Sequence, residues 1–200
     1  MRHDAATGLR AGRIVEVEAY IGTNDRASHA RFGRTPRSAV MFGPPGIAYV
    51  YLVYGMHDCL NVVTEPAGRP AALLVRAVEP EEGIDAMRRA RIEREIGRRR
   101  DRSADATRRV EARLAEERIE RLASGPGLVA AAFGLDRTHT GLDLLDSRSA
   151  FRIEVAEDDC LGTEIRVGAR VGVGYAGEPW ASQPWRFAIA GSMAVSAPAL

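Results

Sequence analysis

A chain of 200 residues with a hydrophobic fraction of 46% and a charged fraction of 28% is composed like an ordinary soluble globular protein, long enough for one domain with a real core. No apolar run approaches the length of a membrane span, no charged-then-apolar leader opens the chain, and Cys59 and Cys160 are too isolated for a disulfide framework or a zinc cluster, so a reducing cytoplasm is expected. The net charge is only +1 and all 28 basic residues are arginine, so any nucleic-acid surface must come from the distribution of arginines rather than their excess.

In chain order, residues 10–20 predict a strand. Val15-Glu16-Val17-Glu18-Ala19-Tyr20 alternates with period two, which puts Glu16, Glu18 and Tyr20 on one face. Arg26 to Arg37 holds four arginines and His29 with no acid, and reads equally well as a phosphate-contacting loop or a solvated one. Residues 47–54 and 58–65 predict a hairpin around the turn-like Gly55-Met56-His57-Asp58. Tyr49 and Tyr51 share one face of it, and Tyr54 stands at the tip on the other. A strand over 71–77 follows. Pro80-Glu81-Glu82-Gly83 predicts a helix start, and 84–100 and 104–123 read as two charged helices, Ser103 capping the second and Gly125-Pro126 ending it. Across 88–121 thirteen arginines meet eight acids, a pattern that fits a solvated helical hairpin laced by i,i+4 pairs better than an auxiliary DNA-contacting surface. Leu128 to Phe133 is a short apolar helix, and 151–156, 164–174 and 185–190 return to strands. Strands, a helical middle and strands again give an α+β fold in one domain, 1–200, with a mainly antiparallel sheet. His3–Ala11 and Ser196–Leu200 are expected to be poorly anchored.

A lone glutamate on a strand is ordinarily solvent-facing or salt-bridged, and ladder tyrosines ordinarily pack, which is how Tyr49 is read. Tyr20 on the face of Glu18 raises the case for a site. A carboxylate beside flat aromatic rings suits an enzyme that hydrolyses a base flipped out of DNA, because it both activates water and stabilises an oxocarbenium-like sugar. Tyr54 lies where burial is difficult, as a wedge for an unstacked base step should. A single-strand or RNA-stacking module would share the aromatics but have no use for Glu18. His3, His29, His57 and His139 lack metal-ligand spacing and no cofactor fingerprint is present, so neither metal nor cofactor is expected. With no lysine, only the α-amino group of Met1 is left for Schiff-base chemistry, so a glycosylase here is expected to be monofunctional.

The stretches Gly12-Arg-Ile-Val-Glu-Val-Glu-Ala-Tyr20, His29, Pro45-Gly-Ile-Ala-Tyr-Val-Tyr-Leu-Val-Tyr-Gly-Met56, Asn61, Leu73-Leu-Val-Arg-Ala-Val-Glu-Pro80, Ser124-Gly-Pro126 and Pro184-Trp-Arg-Phe187 with Val195-Ser196 resemble, in order, the alkyladenine (3-methylpurine) DNA glycosylase family. The resemblance implies a curved antiparallel sheet with a protruding hairpin and flanking helices. It implies an enzyme that flips alkylated or deaminated purines from duplex DNA to start base-excision repair, in the bacterial cytoplasm at the nucleoid. Glu18 would be the general base. Tyr20 and Tyr51 would stack on the flipped base, His29 would complete the sandwich, and Asn61 would crowd the amino group of normal guanine. Tyr54 would enter the minor groove, with Met56, Arg31, Arg34 and Arg37 against the DNA and Arg76 near the water or the sugar–phosphate. An electron-rich pocket is expected to favour a cationic purine by about 1–2 kcal/mol. Nothing demands a dimer, and a monomer is expected. Departures from the family pattern are a short N-terminus, Leu128 where a basic residue is usual, Met193 where proline is common, and a charged helical insert over 84–123. Either the start is misassigned, or the sheet lacks an edge strand and the Glu18 strand is open to exposure.

Overall fold

Two long strands organise the chain. In the computed structural model, which describes residues 2–4, 8–155, 162–198 and 200, the elements are β1 (Arg2–Asp4), β2 (Gly8–Ile21), β3 (Ala48–Val53), β4 (His57–Val63), β5 (Ala71–Glu82), α1 (Ile84–Arg98), α2 (Ala104–Glu116), α3 (Pro126–Phe133), β6 (Ile165–Gly168) and β7 (Arg186–Ile189). Six strands pair antiparallel in the order β3-β4-β5-β2-β7-β6, and β1 pairs with the start of β2. This is the α+β architecture that the alternation of elements implies.

The helices cover one face of the sheet. In α3 every residue from Val129 to Phe133 is buried, and it packs with Val50, Leu60, Val75 and Val78 of the sheet and Met87 of α1 in the main core. Pro126 occupies its first turn and Gly134, at φ 64°, caps its end, the usual division of labour between these residues. The α2 stripe Ala106, Val110 and Leu114 recurs at i,i+4, so one face of that helix is buried and the rest stays polar. A smaller cluster of Ala30, Met41, Tyr49 and Ala72 lies with partly buried Tyr51 on the aromatic side of the hairpin.

Of the two alternatives, an exposed Glu18 strand is not what the fold shows: the strand is interior, with Glu18 paired to Leu74 of β5 on one side and Arg186 of β7 on the other. Pro80-Glu81-Glu82 ends β5 rather than opening a helix. Pro80 lies opposite Gly12 beside a register shift, where a missing N–H is tolerated, and Gly83 turns the chain at φ 72° so close to Leu9 that a Cβ would sit 2.0 Å from its carbonyl oxygen. The helix predicted over 104–123 stops at Glu116. Beyond a 3-10 turn at Ile119–Arg121, fully buried Leu122 and Ala123 run along β5, where Ala123 accepts from Val78 N–H at 3.1 Å, so Gly125-Pro126 begins α3 instead of ending α2. Residues 151–155 form no strand and pack Phe151 and Ile153 against the core; residue 156 and Cys160 lie outside the described residues. The strand predicted over 164–174 is confined to β6, because Arg170 and Val171 turn toward β2. The C-terminal stretch is anchored too: Ser196 is buried and Arg186 Nη2 donates to the carbonyls of Ser196 and Pro198.

The helical hairpin splits its arginines between two tasks. Arg99 and Glu95 form an i,i+4 pair and Arg113 reaches Glu95 from α2, as a solvated laced surface should. Arg88 instead donates to the Leu114 and Glu117 carbonyls at the end of α2, and Arg94 joins Asp58 of β4 to the Leu135 carbonyl.

Candidate active site

Period-two alternation delivers Glu16 and Glu18 to one buried network, and a bulge delivers their counter-ion. In the β2–β5 register Glu16 opposes Ala77 and Val17 opposes Val75, so Arg76 is the unpaired extra residue and its side chain is re-aimed. Arg76 Nε donates to Glu16 Oε1 at 2.8 Å while its Nη1 stands 3.2 Å from Glu18 Oε1. Arg186 Nε adds a second cation to Glu16 at 2.7 Å, and Ser196 donates from both N–H and Oγ. Burial pulls the Glu16 pKa upward, but the Ser196 and Arg76 hydrogen bonds outweigh it and the carboxyl ends below its ordinary value. Two carboxylates and two guanidiniums thus balance in the interior.

Glu18 is completely buried. Its Oε1 accepts from Val171 N–H at 2.7 Å and its Oε2 from Tyr20 Oη–H at 2.8 Å. It does not line the aromatic cavity; Tyr20 does, and stands between the two. Burial first, then the adjacent Glu18 charge, raises the Tyr20 pKa, so the phenol stays protonated as a donor. Beneath Tyr20, Arg170 makes a fully buried bidentate pair with Asp25 at 2.6 and 2.9 Å and donates to the Ala19 and Trp180 carbonyls. Asp25 also accepts from Ala27 N–H, so the loop leading to His29 is tied to the 170–180 segment.

The cavity is lined by Tyr20, Ala27, His29, Met41, Tyr49, Tyr51, Asn61, Ala72 and Tyr175. Of the expected base-contacting residues, Tyr20, His29, Tyr51 and Asn61 converge there, while Arg76 lies behind with Glu18. Tyr49 packs as expected and also bonds His29 Nδ1 through its hydroxyl at 2.9 Å. His29 meets Tyr51 edge-to-face, centroids 4.4 Å apart. That contact leaves no base-sized gap between these two rings, since a purine needs about 7 Å, two van der Waals layers. Asn61 Nδ2 donates to the Tyr49 and Cys59 carbonyls, which fixes its amide in the cavity wall. Burial pushes the Cys59 thiol up to about 12, an inert core group.

The rim carries the remaining expected residues. Tyr54 and Gly55 adopt φ of 51° and 70°, the hand of a type I′ hairpin turn, and His57 already belongs to β4, so the turn is Tyr54-Gly55-Met56 rather than Gly55–Asp58. Tyr54 is 84% exposed and is the one non-glycine at positive φ among the described residues. Met56, Arg34 and Arg37 are exposed and Arg31 is half-buried. Sequence reasoning missed Asp25, Arg170, Val171 and Tyr175. Tyr175 lies in a glycine-rich stretch, Gly172 to Gly177, that directly follows Val171, and as its lone aromatic it was the available signal. Tyr175 is 63% exposed, yet its hydroxyl is tethered to the Ala27 carbonyl at 3.0 Å. Among the described residues no three His, Cys, Asp or Glu side chains converge to hold a metal ion, and no helix is long and apolar enough to cross a membrane.

The sequence model of a family described as methylpurine-DNA glycosylase matches residues 1–193. A relative provisionally named 3-methyladenine DNA glycosylase, from Anaeromyxobacter dehalogenans (strain 2CP-C), is 45% identical over 191 residues, 95% of this chain and 73% of its own length. Proteins of the same name from Methanocella arvoryzae and Myxococcus xanthus are 44% and 42% identical, covering 90% and 94% of this chain and 76% and 77% of their own lengths.

His29 provides a test of this geometry. Burial first, then Arg37 and Arg31, lowers its pKa from 6.5 to about 4. Between these values the unfolded chain binds the proton more readily, so stability rises with pH through the window and falls as pH drops from 6.5 toward 4. After discounting for partial exposure, the expected loss is about 1–2 kcal/mol. Thermal melts across that window should show a steeper decline for the parent than for His29→Gln; parallel declines would place the ring in solvent.

Proposed function

The chain belongs to the methylpurine-DNA glycosylase family, and on that footing we propose that it draws a damaged purine out of duplex DNA, holds it among Tyr20, His29 and Tyr51, and hydrolyses its bond to deoxyribose with a water activated by Glu18. The observation that carries this reading is the fully buried Glu18 carboxylate directly behind the pocket ring Tyr20, with a cation and a backbone donor on one oxygen and a single phenol on the other. Oε2 keeps a lone pair for a water molecule, and Arg76 and Val171 N–H fix the carboxylate so that no reorganisation is needed as the proton moves. Glu18 accepts the proton of the attacking water, and its charge opposes the positive charge growing on the sugar. The base leaves from a ring too reactive to need much protonation when it is alkylated. The reaction is expected to end at the base–sugar bond, because with no lysine in the sequence only the α-amino group of Met1 is left to attack the sugar. The product is an abasic site, the first intermediate of base-excision repair, and the enzyme works as a monomer in the cytoplasm at the nucleoid.

Tyr54 is the wedge. A bulky residue at positive φ costs on the order of 1–3 kcal/mol and no packing explains it, because the ring is exposed. Entry of that ring into the base stack, with Met56 beside it and Arg31, Arg34 and Arg37 along the phosphates, gives the strain a use.

Glu18→Gln should bind a duplex containing 3-methyladenine or 7-methylguanine while releasing base roughly 10²–10⁴-fold more slowly in single-turnover assays; release at the parental rate would remove Glu18 from the mechanism. Tyr54→Asn should raise the melting temperature, since asparagine tolerates this backbone, yet lower base release from duplex about tenfold. A loss of stability instead would identify Tyr54 as a packing residue.

A further inference from the structure

Three of the four tyrosine rings lining the pocket carry a guanidinium on a face. Arg170 lies 4.7 Å from the centroid of Tyr20, Arg37 lies 5.4 Å from Tyr51, and Arg31 lies 5.2 Å from Tyr175. None of these arginines lines the cavity, although the ring that each lies over does. Two of them are fixed in place. Arg170 is clamped by Asp25, and Arg31 donates to the Arg26 carbonyl at 2.5 Å with its other neighbour, the Phe32 ring, at 4.4 Å.

An aromatic face attracts a cation because its quadrupole is negative there, an advantage of about two- to fivefold per ring at partly exposed sites. A second cation on the opposite face meets the first across the thickness of one ring, and the repulsion is of the same order. We propose that Arg31 and Arg37 are specificity-determining residues: by placing positive charge over Tyr175 and Tyr51 they cancel the cation preference that bare rings would give, so the pocket holds neutral damaged purines as tightly as cationic alkylated ones, whereas the charge of Arg170 over Tyr20 is already matched by Asp25. The proposal rests on the glycosylase reading above.

His29 lies in the same cavity and responds to the same field. After burial, Arg37 and Arg31 are what push its pKa down to about 4, and a purinium ion in the cavity meets those two charges as well. The acids beneath the pocket do not restore the preference, because Glu18 is matched by Arg76 and Asp25 by Arg170. Selection of alkylated bases then resides in the bond-breaking step, where a charged base is the better leaving group, and binding is left free to accept neutral lesions.

The test uses full-length Glu18→Gln protein, so that nothing is hydrolysed, and two matched duplexes at fixed salt. One carries 7-methylguanine, a cation. The other carries 7-methyl-7-deazaguanine, which has the same shape with the methyl on carbon and no charge. The two dissociation constants should agree within threefold. Adding Arg31→Gln and Arg37→Gln should weaken both complexes together through lost phosphate contacts and shift their ratio threefold or more toward the cation. Arg170 is left in place, because its removal would strand a buried Asp25. A parental preference for the cation above threefold, or a ratio that the substitutions leave within threefold of its starting value, overturns the proposal. If neither lesion duplex binds more tightly than an undamaged one, the glycosylase reading itself fails, which is a separate result.

Discussion

Arg76 is the side chain on which the site depends. It stands at a bulge in β5, opposite a stretch of β2 that presents two carboxylates two residues apart, and its single guanidinium reaches both. Buried carboxylates this close repel each other and each requires a cation and hydrogen bonds to remain in the interior. Arg186 from β7 and Ser196 from the C-terminal stretch complete the set around Glu16. Such a network adds little net stability relative to apolar packing, but removing one member strands the others at a cost of roughly 3–5 kcal/mol. Its contribution is therefore positional. Glu16 anchors Arg76, and Arg76 together with Val171 N–H holds Glu18.

A second pair, Asp25 with Arg170, performs the same service for the aromatic wall. The two residues are far apart in the chain, yet they join the turn after β2 to the segment before β7. His29 follows the first of these stretches, while Val171 and Tyr175 belong to the second. Pocket rings from separate parts of the sequence are thereby tied to a common base beneath Tyr20. Arg170 also lies over the Tyr20 ring, with its charge matched by Asp25.

Much of this was legible in the sequence. Alternation along β2 places Glu16, Glu18 and Tyr20 together because a strand permits nothing else, and the run from Tyr49 to Tyr54 separates pocket from tip for the same reason. Local patterning also brought Tyr51 into view, whereas His29 and Asn61 came from the resemblance to a known family. What it missed depends on long-range partners. The clasp on Glu18 is a backbone N–H, which no residue type announces. Arg76 faces both carboxylates through a register shift set by two strands jointly. Pro80 reads as a helix start until β2 is seen to pair past it. The guanidiniums over the rings come from residues that, taken singly, are surface or loop arginines. Tyrosines alone suggest an electron-rich pocket, whereas in the folded chain three of those rings also have a guanidinium over them.

The central claim is that the held Glu18 carboxylate stabilises positive charge on the sugar. The most direct measurement is the affinity of parent and Glu18→Gln proteins for a duplex bearing a pyrrolidine abasic nucleotide, whose protonated nitrogen mimics that charge, beside an uncharged tetrahydrofuran analogue. The account predicts that Glu18→Gln weakens the pyrrolidine complex by on the order of 100-fold while the tetrahydrofuran complex changes little. Equal losses for both duplexes would contradict it and reduce Glu18 to a structural group.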